Sequence, residues 1–470
     1  MITYQDLLEV KDTDKDRALF VQSVISNHKH SDSYNIAQCA EEYDKQQNTT
    51  ITHYQKQITL LSGEQVNDRF SATHRSTSNF FNIFTTQLSQ HLLGNGARLK
   101  ASTMKKLGQN FDTVLANLGK KALCYGSAFG FFNFDHVEAF SLLNFAPLYD
   151  EETGDLKAGV RFWQLDENKP MRAVLYELDG YTSYLFSSRN KEPQGWAKIT
   201  KGIYMQPKQP YKVTTARTDA EGTINVEGTA YPGFPIIPLY ANEYKQSELV
   251  GMREKIDAYD FILNGFEDDL DNAQLYWIIS GASGMDDPDL MQFLQRLKTV
   301  KAAAPSDGQE VSPVQVEIPF QAREALLNRL SIQLYRDAMV ANPEQIQAGQ
   351  ITATQIIAAY KHQDLKTDQF EYCVLNFLDQ LFKVAEVDDK ATFERSPIRN
   401  GQDEINAVIS AAPYTGEEYT TRKILTILGD GDLADKIIKQ KEADGIDRIT
   451  PDDEQSPPPP QQRYGAAESE

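Results

Sequence analysis

Cysteine is scarce, cations are outnumbered and long apolar runs are missing, and each of these shortages removes a class of protein. Three cysteines, Cys39, Cys124 and Cys373, are spread over 470 residues. They are too far apart and odd in number for a disulfide framework or a CxxC metal knuckle, so buried, inert thiols in a reducing compartment are expected. Lysine and arginine total 47 against 67 aspartates and glutamates, a formal net charge of -20. Tight nucleic-acid readers gain affinity from cations that displace counterions from phosphates, which excludes an ordinary DNA reader. No stretch approaches the roughly 18 consecutive apolar residues of a membrane span. The opening "MITYQDLLEVKDTDKDRALF" has no apolar core of an export signal, so neither membrane insertion nor export by that route is expected.

Catalytic signatures are missing as well. "GNGARLK" (Gly94 to Lys100) has the GxG step but Leu99 where a third glycine would stand, and it follows a helical pattern rather than the strand that a dinucleotide site needs. "DTDKD" (Asp12 to Asp16) starts like a calcium loop, yet Arg17 and Ser23 occupy the places of the glycine and the bidentate glutamate. His136 and Glu138 have H-x-E spacing without a PCxxC to complete a zinc site. Neither GxSxG nor a GxxxxGK[ST] loop occurs. No enzyme, cofactor or metal is therefore expected.

What is present is a folding composition, 40% hydrophobic and 24% charged, long enough for two or more structural units. Residues 1 to about 125 read as mainly helical; "NFFNIFTTQLSQHLLGNG" places Phe80, Ile83, Phe84, Leu88 and Leu92 at helical spacing and stops at Gly94. From about 126 to 240 alternation takes over, with two runs broken by Gly beside Asp that predict hairpins. Three prolines between 232 and 238 then predict an extended lead-in. After Ser247, read as an N-cap, "EKIDAYDFILNGFEDDLDNAQLYWIISG" predicts one helix from Glu254 to Gly281, about 42 Å long. Ile256, Tyr259, Leu263, Phe266, Leu270, Ala273 and Trp277 form its apolar seam. Asp257, Asp260, Glu267 and Asp271 form an acidic stripe beside it. A possible strand "VQVEI", a second amphipathic helix from Phe320, and a glutamine-rich loop "ANPEQIQAGQI" come next. A very long helix starts near Thr352, a last helical segment is expected at 416–445, and the Pro-rich acidic end is expected to be disordered.

The order of these pieces resembles the portal proteins of tailed double-stranded DNA bacteriophages, the long-tailed type of Gram-positive hosts. "FPIIPLYANEYKQSEL" followed by "KIDAYDFILNGFEDDLDNAQLYWIISG" carries the resemblance most specifically, and "ALCYGSAFGFFNFD", "FAPLYDEETGDLKAGVRFW" and "GQITATQIIAAYKHQDLKTDQFEYCVLNFL" extend it over most of the chain. Two local departures are Asp268-Asp269-Leu270, where the family often has Asn-Asp-Leu, and Gly349-Gln350, where it has Ser-Gly. The resemblance implies an α+β portal fold with a mainly helical wing, stem and crown, a β-rich wing subdomain and a small α/β clip, assembled as a ring of roughly twelve copies. It implies wing at 1–246, stem helices at 247–280 and 320–340, clip at 281–319, tunnel loop at 341–351, a wing crossing helix at 352–404, crown at 405–449 and a tail at 450–470. Asn342, Gln345, Gln347 and Gln350 would be the DNA-facing residues of the tunnel loop, and the acidic stripe would line the channel or stem, where carboxylates repel phosphates. Expected partners are further copies of the chain, double-stranded DNA in transit, the terminase large subunit, a head-completion or adaptor protein, and the major capsid and scaffolding proteins. The place of action would be the capsid portal vertex of the virion, after assembly in the host cytoplasm. The alternative is another ring-forming head or tail structural protein of a phage.

Overall fold

Polar side chains begin the first helices. Thr3 caps α1 (Tyr4–Glu9) in a reciprocal box with Asp6, Thr13 caps α2 (Asp14–Lys29), Ser31 caps α3 (Asp32–Asp44) and Asn48 caps α4 (Thr49–Thr52), each accepting an amide hydrogen that the first turn leaves unpaired. The calcium-like "DTDKD" is thus a helix start. The computed structural model describes residues 2–59, 63–68, 72–187, 195–218, 224–272, 277–280, 288, 291–292, 295, 310–313, 319–343, 353–395, 401–428 and 433–444. The chain divides into two compact units, Met1–Ser396 and Pro397–Glu470.

In the first unit, helices α5 (Phe80–Leu93), α6 (Ala101–Leu107) and α7 (Phe111–Tyr125) follow a short hairpin of β1 (Gln57–Thr59) and β2 (Gln65–Asn67). That hairpin falls in a stretch whose polarity reads only as a connector. The expected β-rich middle is present. Strand β3 (Ala97–Arg98) precedes β4 (Ser127–Asn133), β5 (His136–Ser141), β6 (Phe145–Tyr149), β7 (Leu156–Trp163), β8 (Met171–Tyr176) and β9 (Tyr181–Phe186). Then come β10 (Ala197–Thr200), β11 (Ile203–Met205), β12 (Lys212–Thr218), β13 (Ile224–Thr229) and β14 (Ile236–Tyr240). They build an antiparallel six-stranded sheet in the order β10-β11-β9-β8-β7-β6 and a three-stranded sheet in the order β14-β4-β5.

Period-two alternation places both sheets in one layered core. Ala173 and Leu175 face α1 and α2 with Leu7, Val21 and Ile25, while Val174 and Tyr176 face Phe129, Phe131 and Phe140 of the three-stranded sheet. The far side of that sheet, through Ala128, Phe132, Ile237 and Leu239, packs on α5, α7 and the long α10 (Ala353–Ala385). Pro238 is tolerated inside β14 because that strand is at the sheet edge.

Four expectations change. The helix predicted over Glu254 to Gly281 is α8 (Arg253–Asn272), about 30 Å long. Trp277–Ser280 is instead strand β15, antiparallel to β16 (Glu310–Pro313), because an aromatic and two β-branched residues favour pairing over helix once a partner strand exists. Ser247 is not its cap: its hydroxyl donates to the Cys124 carbonyl at 2.5 Å, and α8 starts six residues later. The paired strand therefore lies before the expected clip boundary at 281, and "VQVEI" lies outside the described residues. The very long helix expected from near Thr352 is α10, which ends at Ala385, short of the segment bound at 404; β17 (Thr392–Phe393) follows and pairs with β3.

Among its described residues the second unit has three helices where one segment was expected, α11 (Gly401–Thr415, with Pro413 inside), α12 (Glu417–Leu428) and α13 (Ala434–Asp444). Gly416, at φ +82°, separates the first two, and Arg422 pairs with Asp435 at 2.8 Å to tie α12 to α13. The tail at 450–470 lies outside the described residues.

Two glycines test the turn geometry. Gly126 caps α7 at φ +85°, and a Cβ there would come within 2.6 Å of the Lys245 carbonyl oxygen; Gly154, at φ +72° in the β6–β7 turn, has open space around it. Both substitutions by alanine carry the left-handed penalty, and only the first carries a backbone collision. Gly126→Ala should therefore lower the thermal midpoint clearly more than Gly154→Ala, which should cost about 1 kcal/mol; equal shifts in calorimetric melting would refute the close approach.

Candidate functional site

The acid-rich helix α8 receives an extended segment of the same chain. Its buried face is not apolar after Ile256: Asp260, Asn264 and Asp268 are all buried, one turn apart. The Ser78 amide donates to Asp260 Oδ1 at 3.0 Å, the Ser76 amide to Asn264 Oδ1 at 2.7 Å and the His74 amide to Asp268 Oδ1 at 2.7 Å. Asn264 Nδ2 returns bonds to the Ser76 carbonyl at 2.9 Å and to the Asp260 carbonyl at 2.7 Å. Four helical residues rise about 6.0 Å and two extended residues span roughly 6.6 Å, so alternate amides of residues 74–78 meet successive turns of the helix, running antiparallel to it.

The predicted acids take different places. Asp257 accepts from Tyr43 Oη at 2.6 Å and from Asn48 Nδ2 at 2.7 Å, which fastens α3 and the start of α4 to α8. Asp260 is 0% exposed, and its Oδ2 has no hydrogen-bond partner. Glu267 accepts from the Ser76 hydroxyl at 3.3 Å. Asp271 keeps an exposed side chain, with His74 Nε2 at 3.3 Å. Asp257 and Asp260 thus leave the free acidic face that the sequence suggested, because their oxygens bond within the chain.

Burial raises the Asp260 carboxyl to about 6, against the lowering effect of the Ser78 bonds. The Tyr43 hydroxyl is also pushed up, first by burial and then by Asp257. His74 is raised by its hydrogen bond to Asp268, with Asp268, Asp271 and Glu267 nearby. Burial also pushes the Cys124 thiol up, to about 12, as expected of an inert cysteine. Cys39 and Cys373 are half-buried and free.

The other side of α8 meets α9 (Phe320–Ala338), the second amphipathic helix, in antiparallel order. Lys255 pairs with Asp337 at one end, Arg323 with Asp269 at the other, and the Phe266 and Phe320 rings meet edge-on at 5.6 Å. After α9 the chain turns inward: Ala341 donates its amide to Gln363 Oε1 at 3.0 Å, and Asn342 is 7% exposed. Asn342 is therefore held inside the chain rather than on a free loop. Gln345, Gln347 and Gln350 lie outside the described residues. Asn264, Asp268 and the His74-Ser76-Ser78 set were not singled out from the sequence. No period-two signal marks them: residues 73–78 are polar throughout, and the rungs are backbone amides.

A family model described as "Phage portal protein, SPP1 Gp6-like" matches residues 40–406. A portal protein of Clostridium phage phiCD119 is 28% identical over 152 residues, 32% of this chain. The match spans about a third of that relative's length, 34%. Among solved structures, the neck of a native gene transfer agent particle computed with C12 symmetry aligns at a TM-score of 0.36 and 11% identity, covering 74% of this chain and 89% of that one. An HK97 family phage portal protein from Corynebacterium diphtheriae aligns at 0.34 and 12%, covering 66% and 91%.

Two substitutions probe the ladder. Asn264→Leu keeps the volume near but leaves the Ser76 amide and carbonyl unpaired, which should cost about 2–4 kcal/mol and speed hydrogen exchange at Ser76 and Ser78; unchanged exchange there would refute the contact. Asp260 has the opposite sense. Its folded pKa lies above the unfolded value, so its ionisation destabilises the fold progressively from about pH 4 to 6 and fully above that. Asp260→Asn keeps the acceptor for Ser78 and removes the charge. Stability at pH 7.5 should rise by about 1–3 kcal/mol and stay level at pH 4; a gain of the same size at both pH values would refute the assignment.

Proposed function

Because the chain belongs to the phage portal protein family, SPP1 Gp6-like, we propose that it forms the ring-shaped DNA conduit at one capsid vertex. The genome is packaged and ejected through this conduit, and terminase and head-tail connector proteins dock onto it. The observation that carries the proposal is the family match across residues 40–406. A net charge of -20 supports it, since a conduit has to let a polyanion slide, and walls rich in lysine would hold it. The α8–α9 pair supports assembly into a ring: Phe261, Leu270, Phe320, Leu326 and Ile332 are all exposed in the single chain, an apolar set that neighbouring copies would cover.

In this reading the ring has about twelve copies, with α8 and α9 as stem, the β15–β16 ribbon in the clip and the loop at 341–351 approaching the DNA. Gln345, Gln347 and Gln350 would touch phosphates or water through neutral amides, weakly enough to release them. Glu254 and Asp271, the acids that α8 leaves exposed, are the channel candidates, Asp271 while also meeting the His74 ring. The chain itself catalyses nothing; terminase supplies the motor, and capsid, scaffolding and head-completion proteins are its other partners. It acts at the portal vertex of the virion, after assembly in the host cytoplasm.

Electron microscopy of the purified full chain tests this directly. Rings with an axial hole wide enough for duplex DNA are expected, and they should retain little DNA at physiological salt. Monomers at every concentration, or closed discs without a hole, would overturn the proposal.

A further inference from the structure

Strand β14 leaves one edge of its sheet open. The Phe132 amide donates to the Pro235 carbonyl at 2.9 Å and the Ala241 amide to the Gly126 carbonyl at 3.0 Å. In an antiparallel ladder the paired positions then recur at 235, 237, 239 and 241. Backbone groups of Ile236, Pro238 and Tyr240 point the other way, and no strand pairs with them among the described residues. Pro238 removes one donor. The amides of Ile236 and Tyr240 and three carbonyls remain.

This edge opens into a groove of about 680 Å³. One wall comes from Leu156 and Lys157 at the start of β7, the other from Lys383 and Val384 near the end of α10. Lys245 reaches into the groove with its ammonium 4.5 Å from the Tyr240 ring centre and 5.4 Å from that of Tyr149. Its backbone is left-handed, at φ 55°. Lysines commonly guard exposed edges against aggregation, but a guard needs only to wave in solvent. Lys245 is fixed over two rings beside the edge. Three lysines against Asp155 give the groove a net positive charge on a chain of -20.

We propose that the β14 edge is a docking site for an extended acidic segment of another protein, which joins the β14-β4-β5 sheet as a fourth strand. Backbone bonds to residues 236–240 would hold the segment, and its carboxylates would meet Lys157, Lys245 and Lys383. Five residues of strand span about 17 Å, room for a short peptide. Affinity from the main chain and selection by side chains is the usual division in strand addition. The proposal goes beyond the DNA conduit, since its ligand is a peptide strand and not DNA.

Fluorescence polarisation with a labelled seven-residue peptide of alternating valine and glutamate tests it on the full chain. Saturable binding is expected, weakened at least about tenfold when lysine replaces the glutamates or when Lys157→Glu and Lys383→Glu are combined. Those two variants leave β14 untouched, and their unchanged melting would show intact folding. N-methylating one alternate set of peptide amides should abolish binding while the other set is tolerated, the signature of one-sided pairing. Equal effects of both sets, indifference to peptide charge, or no saturation by about 1 mM would overturn the proposal. So would binding to monomers but not to assembled rings, because a second copy would then be the occupant.

Discussion

Backbone amides that leave regular structure must still find acceptors when buried, and the segment from His74 to Ser78 finds them on the side chains of a helix. Asp260, Asn264 and Asp268 act as a false strand, offering an acceptor every 6 Å or so to amides of matching repeat. Asn264 is the fullest mimic, since its amide both accepts from and donates to the same residue, Ser76, as a peptide group in a sheet would. Everything around α8 follows from this. Once the segment and the α3–α4 turn are fastened to one side, only the opposite side remains for α9.

That constraint changes the meaning of the negative charge. A helix dense in carboxylates looks like a surface built to repel polyanions, yet its most buried acids are consumed by internal bonds. Asp257 holds Tyr43 and Asn48, Asp268 holds His74, and Asp269 holds Arg323. Asp260 is wholly enclosed, so the acidic face that α8 shows to solvent is smaller than its composition suggests. Repulsion of DNA would then rest on the total charge and on a few exposed positions such as Glu254 and Asp271, with ion screening over about 8 Å limiting each to its own neighbourhood.

Elements whose side chains obey one strong period were legible in the sequence. Phe84, Leu88 and Leu92 of α5 and Phe370, Val374, Phe377 and Leu381 of α10 are buried along single faces, with Phe80 partly buried beside them, and the hairpins at Gly154 and Gly180 fall where Asp beside Gly breaks an apolar run. Two things were not legible. Ala273 and Trp277 continue the 3-4 spacing of α8, so periodicity alone extended the helix into a strand whose partner, Glu310–Pro313, is some thirty residues away. The ladder on α8 was hidden because a polar row on a helix ordinarily means solvent, and nothing local says that an extended segment nearly two hundred residues earlier will cover it.

The same asymmetry bears on why the isolated chain looks unfinished. Helix α9 is buried only toward its end, at Leu334, Tyr335 and Ala338, whereas Phe320, Leu326 and Ile332 on its first turns and middle remain in solvent. A helix with apolar residues outside its only internal seam gains stability from further packing, because each such side chain contributes on the order of 1.5–3 kcal/mol when covered. Charge opposes random association of chains at -20 each, so contact is favoured only where apolar faces meet in register. The proposed closed ring would meet both demands at once: each copy would lend one face and receive another, the apolar residues would be withdrawn from water, and no unpaired face would remain to drive further growth.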